Sequence, residues 1–168
     1  TPLYNTINPS IQSFTPTVNH LGAIKLGLNR HSSPTGNVVI SGGSTSGGTD
    51  ISTVTLNSAT IGVGDTVIAF NPSKAVGVGS LYYIHVDGST IGDANNRLSW
   101  TIDSRTFYTT GSAYVAGVVQ SGSSFKFATY GSWIPGIIQS GSAIITAKAN
   151  IQSVFGVAEA SIPTGTTV

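Results

Sequence analysis

The side chains that could do chemistry in this sequence are six carboxylates, three histidines and a set of aromatic residues. The carboxylates are Asp50, Asp65, Asp87, Asp93, Asp103 and Glu159. Glycoside hydrolysis needs two carboxyls held across a cleft, and no spacing among these six sets up such a pair. Nearly all fall at turn or loop positions, where Asp closes a turn on its own backbone. Serine is plentiful, but no Gly-x-Ser-x-Gly elbow occurs. A histidine-bound metal needs several ligands converging, and His20, His31 and His85 show no ligand spacing. His20 and His31 sit near turns. His85 alternates with Ile84 and Val86, which places it on the polar face of a strand. The expectation is that the chain is not an enzyme.

Two binding chemistries have candidate residues. Asp87, Asp93 and Asn95 crowd one loop, with Ser89, Thr90 and Asn96 nearby. Calcium takes oxygen ligands of this kind, but the loop lacks the EF-hand pattern, and an Asx-rich turn is the commoner use of such residues. No other cofactor is expected. Sugar binding would use aromatic faces stacked on pyranose rings, with planar polar groups forked onto hydroxyls. Tyr82 or Tyr83, Tyr108, Tyr114 and Trp133 are the aromatic candidates, and Asn96, Arg97 and Arg105 the polar ones. Each tyrosine has packing as its competing role. Trp100 alternates with Leu98 and Ile102, which puts it in the core.

Composition narrows the partners. Seven Lys/Arg against six Asp/Glu leave a net charge of +1 over 168 residues, with no basic run. Nucleic-acid binding needs a concentrated positive face, so it is not expected. Without cysteine there is neither a disulfide framework nor a thiolate metal site. No apolar run reaches the about 18 residues of a membrane-spanning helix. A first residue Thr1 in place of Met admits two readings, a boundary within a longer chain or a mature chain whose leader was removed.

The elements that must position these residues are strands. The stretch Gln12 to Ile40 is the organising one. In it Ile24, Leu26 and Leu28 alternate with Lys25, Gly27 and Asn29, the period of a half-buried strand. Ser32-Ser33-Pro34-Thr35-Gly36-Asn37 supplies a turn, and Val38 to Ile40 begins a second strand, so the stretch predicts a hairpin. Further strands are predicted over Ile51 to Ile61, Thr66 to Phe70, Leu81 to Val86, Leu98 to Ile102, Ser112 to Val119 and Phe125 to Tyr130. Loops rich in Gly, Ser and Asx separate them, including Ser41 to Asp50, which lacks the Gly-Lys-Ser/Thr and helix of a phosphate loop. Thr1 to Ser13, with Pro2 and Pro9, reads as an extended arm. Many short strands with turn chemistry between them predict an all-β, antiparallel sandwich of jelly-roll type.

The order of the pieces resembles the jelly-roll, carbohydrate-binding-like modules of bacterial and archaeal surface proteins and phage structural proteins. The residues that carry the resemblance are Gln12-Ser13-Phe14-Thr15-Pro16, Ser33-Pro34-Thr35-Gly36-Asn37 and Val78-Gly79-Ser80-Leu81-Tyr82-Tyr83-Ile84. It continues through Leu98-Ser99-Trp100, Gly111-Ser112-Ala113-Tyr114 and Phe125-Lys126-Phe127-Ala128-Thr129-Tyr130. It covers about residues 11 to 131. The resemblance implies a non-catalytic scaffold, an appendage on a larger cell-surface or virion protein. Two features depart from it: the Gly/Ser-rich loop after Ile40, and a continuation of 37 residues beyond Gly131.

The expected organisation is an N-terminal arm (1–11), a jelly-roll sandwich (12–131) and a C-terminal extension (132–168) forming one or two strands. In the extension Ala147, Ala149 and Ile151 alternate with Lys148 and Asn150. With Ile144, Val154, Phe155 and Val157 they make an apolar surface that needs cover, within the chain or on a neighbour. The expected function is a non-enzymatic structural subunit or decoration module of an extracellular filament, cell surface or virion. It would dock through its terminal arms onto copies of itself or a host protein. Carbohydrate-binding or adhesion, with glycans as partners, is the alternative.

Overall fold

The computed structural model describes residues 2–3, 9–104, 108–131, 153–154 and 157–158. Its strands in chain order are β1 (Pro2–Leu3), β2 (Ser10–Phe14), β3 (His20–His31), β4 (Asn37–Gly43) and β5 (Ser52–Asn57). Next come β6 (Val63–Ala75), β7 (Tyr82–Asp87), β8 (Arg97–Trp100), β9 (Ile102–Asp103) and β10 (Ala113–Val115). β11 (Val118–Gln120), β12 (Ser124–Phe125), β13 (Phe127–Tyr130), β14 (Ser153–Val154) and β15 (Val157–Ala158) follow. One 3-10 turn, Ser58–Thr60, interrupts them, and no α-helix occurs among the described residues. The chain is all-β and its strand pairs are antiparallel.

Two sheets hold most of these strands. One has the order β11-β10-β2-β7-β4-β5. The other is built on β3, the long strand predicted from its alternation. β6 lies along one edge of β3, while β8 (with β1 beyond it) and β13 divide the other edge. The division falls at Gly27, whose carbonyl accepts from Thr101 N–H at 2.9 Å and whose N–H donates to Lys126 C=O at 3.0 Å. Inward side chains of both sheets form one buried cluster. β3 contributes Ile24, Leu26 and Leu28, and β8 contributes Leu98 and Trp100. Phe14, Ile40, Ile84 and Val86 face them from the six-stranded sheet.

Alternation explains which residues go inside. Ile24, Leu26 and Leu28 are fully buried, while Lys25 and Asn29 stay half-exposed on the opposite face. Trp100 is buried as expected, stacked on Phe125 with ring centroids 4.2 Å apart, and its indole N–H donates to Lys126 C=O at 2.9 Å. A buried ring of this size needs both the stack and the partner for its N–H.

The predicted hairpin is corrected. β3 and β4 do not pair: β4 lies between β5 and β7 in the other sheet, so the turn 32–36 carries the chain across the core. Both strands have apolar inward faces, so facing each other across the core buries both. Gly36 makes the crossing with φ +92, and a Cβ there would run into the carbonyl of Thr90. Thr90 in turn fastens the crossing, its hydroxyl donating to Asn37 C=O at 2.8 Å. β6 runs longer than predicted, and its register against β3 slips between Leu21 and Ala23. Ser112 to Val119 resolves into two strands, β10 and β11, joined by Ala116 and Gly117, both at positive φ.

Candidate functional site

The outer face of the six-stranded sheet carries an aromatic row. Residues paired across antiparallel strands share a face. Register therefore sets Tyr114 of β10 beside Ile11 of β2, Ile11 beside His85 of β7, and His85 beside Ser41 of β4. Tyr83, two residues before His85, stands on the same face beside Ser13. Ile11 and Ser13 are buried at 5% and 2% exposure although they point outward. The half-exposed Tyr83, His85 and Tyr114 form the surface of this face. Tyr114 and His85 are separated by two inter-strand spacings, about 9–10 Å. Exposed Val119, paired with Tyr114, extends the apolar rim.

That face carries one carboxylate, Asp87, on the same side of β7 as Tyr83 and His85. The strands β2, β4, β5, β7, β10 and β11 carry no Lys or Arg. Desolvation pushes the His85 imidazole below its ordinary pKa, with Asp87 pulling weakly the other way. Burial thus favours the neutral ring, which can stack and can also donate or accept a hydrogen bond.

The other tyrosine candidates belong to the interior. Tyr82, the neighbour of Tyr83 on the opposite face, packs on Phe14 at 6.1 Å and its hydroxyl accepts from Gly77 N–H at 2.8 Å. Tyr108 meets Phe127 edge-on at 5.1 Å, and its hydroxyl accepts from Thr15 N–H at 2.6 Å. Both rings fasten loops to the core. Asn96 and Arg97 sit in the 87–97 loop and at the start of β8, away from the row of Tyr83 and Tyr114. Arg97 hydrogen-bonds Ala94 C=O, and Asn96 bonds the Asp93 carboxylate. Arg105 and Trp133 lie outside the described residues, as do Ile144, Ala147, Ala149, Ile151 and Phe155. Val154 and Val157 pair with each other across β14 and β15.

The calcium candidates turn their carboxylates onto their own loop. Asp87 accepts from Ser89 N–H at 2.7 Å, and Asp93 accepts from the N–H groups of Asn95 and Asn96 at 2.8 and 2.9 Å. The bonds from Asn96 and then Asn95 hold the Asp93 carboxyl below its usual range. Asp50 does the same for the Gly/Ser loop, accepting from Ser44 N–H at 3.0 Å. Among the described residues no group of three His, Cys, Asp or Glu could hold a metal ion. Asp65 takes a different partner, bridging Lys126 at 2.9 Å and Lys25 at 3.2 Å on the outer face of the other sheet.

A second surface lies beside β13. A groove of about 580 Å³ is walled by Tyr108, Phe125, Phe127, Thr129, Asp103 and Ser124. Among the described residues β13 pairs only with β3. Lys126 directs its C=O to Gly27 and Ala128 pairs with Lys25, so the intervening backbone groups of Phe127 and Thr129 point away from β3. Their side chains face inward, opposite Leu26 and Ile24. The groove therefore borders an open strand edge.

Sequence reasoning named Tyr83 and Tyr114 but missed that Ile11 and His85 complete their row. Strand alternation put His85 on the outer face, and only the register of β2 could bring it beside Ile11. Comparisons with protein families, with curated proteins and with solved structures return no match. No described helix is long and apolar enough to cross a membrane.

Proposed function

We propose that this chain is a non-enzymatic structural module of jelly-roll type, displayed on a cell surface, an extracellular filament or a virion. It joins its assembly through strand edges and terminal arms. The observation that supports this reading is what happens along the side of β3 that β8 and β13 share. On β8 the N-terminal arm already behaves as an added strand, with Pro2 and Leu3 paired to Ser99 and Leu98. Next to it, β13 offers an open edge beside a groove. The chain's passage back and forth between two sheets supports the jelly-roll assignment, and the scarcity of charge suits surfaces that pack against one another. Light scattering and electron microscopy of the full chain over a range of concentrations test it. Oligomers or filaments are expected, and a monomer at every concentration refutes it.

A second reading, a carbohydrate-binding or adhesion module, is favoured by the shared face of Tyr83 and Tyr114. Two rings and a neutral imidazole over an apolar floor suit a glycan, and a face whose strands lack Lys and Arg suits an uncharged one. The double variant Tyr83→Ala/Tyr114→Ala should lose at least tenfold in affinity on a neutral-glycan array while melting as the parent does. If the parent binds no glycan, or the variant binds equally well, that reading fails.

A further inference from the structure

We propose that the groove beside β13 is an acceptor for an extended strand, and that its occupant is the segment 142–151 of a second copy of this chain. This rests on the assembly reading above and names the place where the arm docks. An open edge recognises a strand through main-chain hydrogen bonds, and adjoining pockets read its alternate side chains. Both features are present here. The backbone groups of Phe127 and Thr129 point outward from β13, and the groove they border is floored by Phe127 and Tyr108.

Segment 142–151 has the matching pattern. Ala143, Ile145, Ala147, Ala149 and Ile151 fall on one side of an alternating run, and Ser142, Thr146, Lys148 and Asn150 on the other, with Ile144 the one apolar residue among them. Laid against β13, the first set would enter the groove and the second would face solvent. The alternation is also bounded, since β14 and β15 pair with each other immediately beyond it.

The end of the fold where the chain leaves β13 favours a neighbour as the donor. Val18 lies against Gly131, so close that a Cβ on that glycine would sit 3.2 Å from it. The adjacent loops are tied together by the Gly79 N–H bond to Pro16 C=O at 3.1 Å. They expose Val18, Val78 and Leu81 at 38%, 61% and 46%, and Tyr130 beside them at 38%. A second copy seated at this end would cover those residues along with the groove. The ten residues 132–141 reach about 33–36 Å when extended, enough to cross to a neighbour. A donor on one surface and an acceptor on another make a heterologous contact, which builds rings or open filaments.

Two variants of the full chain separate donor from acceptor. Thr129→Pro removes an outward N–H from the open edge without touching the bonds to β3. Ile145→Lys places a charge on the inserted face of the donor. Each variant alone should be monomeric by light scattering, Thr129→Ala should assemble like the parent, and a 1:1 mixture of the two variants should form heterodimers. Thr129→Lys, which fills the groove with a charge while keeping the N–H, serves as the acceptor variant should the proline disturb folding. If the parent assembles and the acceptor and donor variants still assemble unchanged, the groove assignment is overturned while the assembly reading stands. The same holds if the variants are monomeric but their mixture stays monomeric. A parent that is monomeric throughout overturns both.

Discussion

Gln12 offers the sharpest test of how β2 is tied to β12. It is fully buried, and in register it lies between Ala113 and Ile84, both also buried. Its side-chain oxygen accepts from Phe125 N–H at 2.7 Å, and its amide nitrogen donates to Ser13 C=O at 2.9 Å. Gln12→Leu keeps the size of the side chain and leaves the Phe125 N–H buried without a partner. An orphaned buried donor costs about 1–3 kcal/mol, and removing the amide itself offsets part of that, so a net loss of about 1–2 kcal/mol is expected. For a chain of this length that lowers the melting temperature by about 2–8 °C. Ser10 and Ser124 provide the internal control. Their hydroxyls are buried with no partner, so Ser10→Ala and Ser124→Ala should leave stability unchanged or raise it. Urea unfolding gives the stability, and amide exchange at Phe125 locates the effect. A Gln12→Leu variant as stable as the parent, with Phe125 exchange unchanged, would refute the claim that this bond ties β2 to β12.

Two further perturbations probe the outer face of the β3 sheet and the crossing between sheets. Asp65→Asn removes the carboxylate bridged by Lys126 and Lys25, whose bonds hold it below its usual pKa. The group is about one-third exposed, so the loss should be only about 0.2–1 kcal/mol at neutral pH. A depressed folded pKa stabilises above the unfolded value of about 3.9 and loses that contribution as pH falls through the folded one. Parent and variant should therefore converge in urea unfolding below about pH 4; a gap that persists there contradicts the assignment. Gly36→Ala forces a Cβ into positive φ and against the Thr90 carbonyl. It should cost at least about 1–2 kcal/mol, and a melting temperature equal to the parent's would show that the crossing relaxes freely.

Strand identity was legible wherever one face is buried and the other is not. β3 and β8 show it: Leu26 and Trp100 face the core, while Lys25 and Ser99 stay half-exposed on the other side. Alternation tells which face a residue takes but not which strand lies beside it. That is why β3 and β4 read as a hairpin, although a turn of the same chemistry also serves to cross between sheets. The same limit hid the floor of the aromatic row. Ile11 occupies an outward position of a strand whose inward positions include Ser10 and Gln12. Polarity runs backwards in β2, with buried polar groups inside and an isoleucine outside, so pattern alone assigns its faces wrongly. Of the tyrosines, Tyr82 and Tyr83 are adjacent and equally plausible from sequence, and only the core partner Phe14 decides that Tyr82 goes in.

That reversal in β2 has a consequence for where function can reside. Gln12 faces inward because Phe125 N–H, at the approach to β13, needs an acceptor that no strand supplies. Ile11 faces outward beside His85 and Tyr114, outside the core cluster, and is nevertheless 5% exposed. One short strand thus anchors the groove side of the fold with its inner face and floors the aromatic row with its outer face. The row and the groove nevertheless lie on different sheets and share no side chain. Energetic effects of sites without shared partners add nearly independently. Substitutions at Tyr83 and Tyr114 should therefore leave assembly through β13 intact, and Thr129→Pro should leave the aromatic face intact. A Gln12 substitution should disturb both, because β2 floors the aromatic row with Ile11 and reaches the groove side through Gln12 and through Phe14, whose ring lies 6.0 Å from that of Phe127.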